Sequence, residues 1–324
     1  MRTPLSDLFG LDAPVVLAPM AGVAGGALAA AVSRAGGLGL VGGGYGDADW
    51  LDAQMALADA PVGIGFITWA LNADTLAQSL AHGPRALMLS FGDPMPFAPA
   101  IRDAGVPLIC QVQTVAHAAR ALDAGAAALV AQGGEAGGHG ASRGTFSLVA
   151  EIVDLAAGRV PVVAAGGIAD GRGLAAALML GASGAMLGSR FWAAREALVA
   201  DGLVDAALSA TGDATVKGAL PDAARGLAWP DGYAIRTLST AFTDRWDGRA
   251  DLLRGDDAAR ADWARAMADG DAARATPVVG EAVGLIHARL PAARIMGDLV
   301  SQARGCLARG AGLLSHEGAD AAAC

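Results

Sequence analysis

The sequence predicts an α/β fold, a (β/α)8 TIM barrel carrying a smaller, mostly helical cap lobe. Three observations point there. Eight apolar runs of strand length are present, their starts recur at intervals of 21 to 32 residues, and the stretches between them carry helical periodicity ending at glycine. Parallel strands are covered on both faces and therefore read as unbroken apolar segments. A strand, a helix and two short loops occupy about the observed interval.

In chain order the runs are 15–20, 38–43, 61–68, 86–91, 107–112, 128–133, 160–167 and 184–189. Between them, Leu28, Ala31, Val32 and Ala35 form one helical face before Gly36 and Gly37. Val115, Ala118, Ala119 and Leu122 do the same before Gly125, and Leu174, Ala177 and Leu178 before Gly181. Eight units suit closure into a barrel better than an open doubly wound sheet, which would carry a phosphate loop near its start. The interval of 32 residues, between the sixth and seventh runs, holds a long loop, Gly133–Gly134–Glu135–Ala136–Gly137–Gly138–His139–Gly140. Loops that follow barrel strands form the catalytic face, so this loop is a functional candidate by position. The barrel is expected over residues 1–212 and the cap lobe over 213–275, where charges, prolines and Trp229, Trp246 and Trp263 are mixed among turns. Residues 276–310 are expected to return as C-terminal helices, one over Pro277–Arg289 and one over Ile295–Arg304. A flexible tail is expected at 311–324.

Composition narrows the function. The 324 residues carry 23 Lys and Arg against 32 Asp and Glu, a net charge of −9, with no basic cluster of the kind that nucleic-acid binding requires. Mean hydropathy is +0.43. Even so, glycine or charge breaks every apolar run before the roughly 18 residues needed to span lipid. No basic stretch followed by an apolar one opens the chain, and the three cysteines are widely spaced, so a cytoplasmic protein without a disulfide framework is expected. No His, Cys and Asp set has metal-ligand spacing. Neither a nucleophile elbow nor a P-loop is present.

Gly166–Gly167 follows the seventh run and Gly188–Ser189 the eighth, the two positions where barrels commonly bind phosphate. Such glycines also serve tight turns. The first run ends Ala18–Pro19–Met20–Ala21–Gly22, a segment able to lie against a flat ring. Gln111, Gln113 and Gln132 are polar residues at strand ends that need partners, from a ligand or from neighbouring loops. Of five histidines, His139 alone lies in the long loop, and a side chain titrating near neutrality suits it to proton transfer. Glu135 is placed to orient it, to tune it or to bind a loop amide. Trp69 is placed either to line the substrate pocket or to cover the rim.

At these motifs the chain resembles the nitronate monooxygenase family, through APMAGVAGG from Ala18, SRAGGLGLVGGG from Ser33, AQGGEAGGHG from Ala131, VPVVAAGGIADG from Val160 and MLGSRF from Met186, with weaker likeness in the cap and in IMGDLVSQ. The resemblance implies non-covalent FMN. It places Met20 and Ala21 beside the isoalloxazine ring, with Gln132, Gly134 and Gly138 near the cofactor and Gly166, Gly167, Gly188 and Ser189 on its phosphate. It implies His139 as base for neutral nitroalkanes, or as hydrogen-bond donor to nitronates already ionised, with O2 as co-substrate and a carbonyl compound and nitrite as products. FMN-dependent enoyl-[acyl-carrier-protein] reductases are similar at the same glycine pairs and at EAGGH, and NAD(P)H:quinone reductases belong to the same broad fold group; both differ in their electron donor. A non-catalytic flavin- or phosphate-binding module is the alternative of another class.

Overall fold

In a computed structural model, which describes residues 1–314, the eight expected strands form one all-parallel sheet. They are β1 (Val15–Leu17), β2 (Leu40–Gly44), β3 (Gly63–Ile67), β4 (Leu87–Ser90), β5 (Leu108–Val112), β6 (Ala128–Gln132), β8 (Val162–Ala165) and β9 (Gly184–Leu187). A short strand of the long loop, β7 (Gly138–Gly140), lies between β6 and β8 in sequence but outside the barrel. The sheet runs β1-β9-β8-β6-β5-β4-β3-β2 and closes where Leu17 N donates to Leu38 O and Leu38 N to Val15 O, both at 2.9 Å. The fold is the (β/α)8 barrel.

Strand alternation divides the core into two layers. Val16, Leu40, Met88, Ile109, Val130, Val163 and Met186 fill the barrel interior, closed below by Leu5 and Phe9 of the first helix. Their neighbours Val15, Leu17, Val41, Ile64, Leu87, Leu129 and Leu187 face the surrounding helices. Because both faces are buried, the strands carry almost no polar residue until their C-terminal ends. There the same alternation turns Ser90, Gln111, Gln132 and Gly188 inward, two residues beyond Met88, Ile109, Val130 and Met186. That polar layer is the floor of the site.

Beyond the barrel, short helices dominate residues 220–269. The region also holds a sheet that the sequence did not suggest. Strands β10 (Thr215–Gly218) and β11 (Ala234–Leu238) pair antiparallel, and β11 pairs in turn with β7, setting Ile235 opposite His139. The long glycine-rich loop is therefore tied to the cap rather than free.

The helix expected over Pro277–Arg289 is not formed. Residues 276–280 run without regular structure, followed by a 3-10 turn at Glu281–Leu285. Pro277 lacks a donor, and the backbone groups here bond outward instead: Leu238 N donates to Pro277 O, Gly280 N to Ser189 Oγ and Glu281 N to Glu135 O. A Cβ at Gly280 would strike the carbonyl oxygen of Glu135, so packing against the long loop also requires glycine there. The second C-terminal helix is longer than expected, Ala292–Leu314, and packs on the barrel helices Gly171–Met179 and Gly26–Arg34. It covers 311–314 of the expected tail; the remainder, 315–324, lies outside the described residues. Among those residues no helix is long and apolar enough to cross a membrane.

Candidate active site

A cavity of about 390 Å³ opens at the C-terminal end of the barrel, a size typical of small-molecule sites. Ala18, Pro19, Met20 and Ala21 from the turn after β1 form one wall, with Gln111, Gln132, Gly188 and Ser189 at the strand ends. The long loop contributes Gly138 and His139 from β7, and the cap contributes Ile235 from β11 and Pro221 and Arg225 from the helix Leu220–Arg225. Of the residues singled out in the sequence, Met20, Ala21, Gln132, Gly138, His139, Gly188 and Ser189 line this space.

Gly134, Gly166 and Gly167 do not. The register Ala165↔Met186 carries the Gly166–Gly167 turn level with Leu187 and Gly188, as expected of adjacent strands. The turn, however, lies against Glu135 and Thr145, which would be the nearest neighbours of any added Cβ. Both glycines have φ in the left-handed region, +101° and +70°, so the bend itself requires them. Gly134 gives its carbonyl to Arg236 Nε and Nη2, a clamp between loop and cap. Glu135 takes the loop-amide role among the three open to it: its carboxylate accepts from Thr145 N and Oγ1 and so caps the helix Thr145–Ala156.

Three glutamines form one chain of amides. Gln111 and Gln113 Nε2 each donate to Gln132 Oε1 at 2.9 Å, and Gln132 Nε2 donates to the His139 carbonyl at 3.0 Å. Gln132 thereby fastens β7 to the barrel rim and fixes where His139 stands. Gln113 Oε1 is buried and keeps no partner among the described residues, an orphan that points to a missing polar group nearby.

His139 is only 8 % exposed, and its ring is stacked on Trp229 with centroids 3.4 Å apart and planes 8° off parallel. Its Nε2 meets Asp222 Oδ1 at 3.0 Å and Oδ2 at 2.9 Å, while Nδ1 makes no hydrogen bond to the described residues. Asp222 is itself buried, and Oδ1 also accepts from Arg225 Nη2 at 2.7 Å. Burial pulls the imidazole below the usual histidine range. Asp222 opposes that shift, while the charges of Arg225 and Lys217 add to it. A carboxylate 2.9 Å away holds the proton on Nε2 and leaves the Nδ1 lone pair available as a base. A ring of aromatic side chains encloses this assembly: Tyr45, Trp69, Phe91 and Tyr233 each meet Trp229 edge to face. Trp69 belongs to that rim and does not line the cavity.

The sequence reasoning missed Asp222, Arg225, Tyr45 and Trp229. Their one visible signal was the cap likeness that contains Trp229. No local spacing links a carboxylate to a histidine 83 residues earlier.

The nitronate monooxygenase family model matches residues 2–82 and 67–302. The chain belongs to the nitronate monooxygenase family. It is 36 % identical to nitronate monooxygenase npaC of Metarhizium robertsii across 90 % of this chain and 91 % of that relative. It is also 36 % identical to a (3aS,4S,5R,7aS)-5-hydroxy-7a-methyl-1-oxo-octahydro-1H-indene-4-carboxyl-CoA dehydrogenase of Mycobacterium tuberculosis, across 67 % of this chain but only 62 % of that enzyme's length. Among solved structures, FabK from Thermotoga maritima superposes with a TM-score of 0.86 at 30 % identity, covering 97 % of this chain and 99 % of the other. A nitroalkane oxidase from Streptomyces ansochromogenes gives 0.80 at 27 % identity, covering 95 % and 100 %. The chain is thus a flavin-dependent oxidoreductase by family.

Proposed function

We propose that this enzyme binds FMN in the barrel mouth and oxidises alkyl nitronates, and neutral nitroalkanes, with O2 to a carbonyl compound and nitrite. The observation that carries the reading is the buried His139–Asp222 pair: His139 lines the cavity, with Nδ1 taken by no hydrogen bond among the described residues, together with the apolar Pro19–Ala21 wall and the Gly188–Ser189 turn.

The residues present fit the cofactor. Pro19, Met20 and Ala21 offer a flat apolar wall, and Gln111 and Gln132 bring side-chain amides to the cavity. At Gly188 an added Cβ would meet nothing closer than Ala18 and Met20, at 3.7 and 3.8 Å, so a side chain there would stand in open cavity. Ser189 begins a helix whose first N–H groups lack intrahelical acceptors, which suits a phosphate. FMN bound here would supply the electron acceptor for the nitronate and the route to O2.

The protein's own work is proton handling and positioning. Nδ1 of neutral His139 takes the proton from the carbon next to the nitro group, and the imidazolium that results faces the Asp222 carboxylate. Trp229 stacked on the ring, with Gln132 on the His139 carbonyl, keeps the base in one orientation. For a substrate already ionised, protonated His139 donates a hydrogen bond instead. A second reading, an NAD(P)H-dependent reductase, draws on the likeness to FabK from Thermotoga maritima.

The test is product analysis. FMN-reconstituted protein given ethylnitronate in air should release nitrite and acetaldehyde without NADH. Turnover only of NADH with an enoyl thioester or a quinone would establish the second reading.

A further inference from the structure

The proton transfer just described leaves a charge to be accommodated. As the C–H bond breaks, its electron pair moves into a C=N bond and onto the two nitro oxygens, while the proton forms the N–H bond at His139 Nδ1. Imidazolium faces Asp222; the oxygens need a partner of their own. Deepening the proposed function, on which it rests, we infer that Arg225 and Tyr45 form an oxyanion subsite that receives the two oxygens of the nitro or nitronate group beside His139.

Both residues line the same cavity as His139. Arg225 is tied down at two nitrogens, Nε to the Pro221 carbonyl at 3.1 Å and Nη2 to Asp222 at 2.7 Å. The fork also donates to the Tyr45 hydroxyl, so three of its five N–H groups are taken and the fixed guanidinium keeps donors to spare. The Tyr45 hydroxyl lies beside the guanidinium and accepts from Trp229 Nε1 at 3.0 Å, which leaves its own proton to give. Two fixed donors on the cavity that His139 lines, which Phe66, Ile67, Phe91 and Ile235 also line, make a preorganised anion site in poorly polarisable surroundings.

The arrangement of charge agrees. Asp222 and Arg225 are opposite charges held 2.7 Å apart, so at rest the pair adds no net charge to the cavity. Proton transfer turns a neutral base and a neutral substrate into a cation and an anion. The cation is born against Asp222 and the anion against Arg225, so each product charge meets its opposite. Lys217 is the other cation felt by His139, but its ammonium is committed to the Ala141 carbonyl.

The experiment uses FMN-reconstituted wild type, Tyr45→Phe, Arg225→Gln and Arg225→Lys. Inorganic nitrite, a two-oxygen anion, is titrated anaerobically by flavin absorbance and tryptophan fluorescence, and kcat/KM is measured for nitroethane and for ethylnitronate. Loss of a hydrogen bond to a charged group should weaken nitrite binding about tenfold or more in Arg225→Gln and several-fold in Tyr45→Phe. Nitroethane kcat/KM should fall with it, FMN affinity and Tm should hold, and Arg225→Lys should recover part of the loss. Should Arg225→Gln fail to fold, Tyr45→Phe and Arg225→Lys carry the same comparison. Unchanged nitrite affinity in folded, FMN-bound variants overturns the subsite. Nitrite binding needs no turnover, so a protein that binds nitrite through Arg225 yet releases none from ethylnitronate refutes the proposed reaction and not the anion site.

Discussion

Replacing Asp222 by Asn is the most informative single perturbation of the proton-handling pair. The carboxylate holds His139 Nε2 at 2.9 and 3.0 Å in a site where both side chains are less than 10 % exposed, so solvent does little to weaken the bond. A hydrogen bond to a charged group contributes about 1.5–3 kcal/mol, and each 1.36 kcal/mol on a barrier is tenfold in rate. Loss of that stabilisation as imidazolium forms therefore predicts a fall of roughly ten- to 150-fold in kcat/KM for nitroethane. Asn can also present its NH2 to Nε2, which moves the ring proton to Nδ1 and blocks the base, so the fall can be larger still. The pH profile carries a second signature. Burial already sets His139 below the usual histidine range and Asp222 raises it, so removing the carboxylate lowers it further. The base is active above its pKa; the acid limb for nitroethane should therefore lie below pH 6.5 in wild type and move to still lower pH in the variant. Steady-state kinetics from pH 5 to 8 on FMN-loaded protein would show it, with ethylnitronate, which needs no deprotonation, as the internal control. Equal losses on both substrates, or an acid limb that stays in place, would refute the base assignment.

Three further outcomes follow from the same geometry. His139→Ala should retain FMN and lose about 10²–10⁴ in turnover of nitroethane, as removal of a general base does, which stopped-flow or oxygen-electrode rates would measure. Gly188→Ala should melt with wild type, because its Cβ meets only ordinary contacts at 3.7 Å and beyond. It should nevertheless bind FMN at least about tenfold more weakly, since cost to the ligand without cost to the fold is what a cofactor cradle predicts; fluorescence titration with FMN would decide. Cys110, whose thiol burial pushes up to about 12, should resist a thiol reagent in the native protein at pH 8 and react on unfolding.

The barrel was legible because each strand is buried on two faces, which leaves an uninterrupted apolar run in the sequence. The helices between were legible where one face repeats and glycine follows, as at Val115–Asp123 and Gly171–Met179. His139 stood out because an over-long βα connection is a local feature. Its partners are not local. Asp222 resembles any capping acid near Pro221 until the cap folds onto β7, and Tyr45 reads as a loop residue after Gly44. The strand at Gly138–Gly140 was hidden for a related reason, since three residues flanked by glycine become a strand only when β11 supplies the other half of the ladder. The failed helix at 277–289 shows the converse. Its apolar spacing suited a helix, but Ser189, Glu135 and Leu238 compete for its backbone groups and win.

The central claim is that a flavin lies over the barrel end within reach of a substrate held at His139, and that nitronates supply its electrons. Anaerobic titration of the FMN-reconstituted protein tests it most directly. Ethylnitronate should bleach the flavin absorbance rapidly while NADH leaves it oxidised. Rapid bleaching by NADH with none by ethylnitronate, or a folded protein that takes up no FMN, would contradict the account.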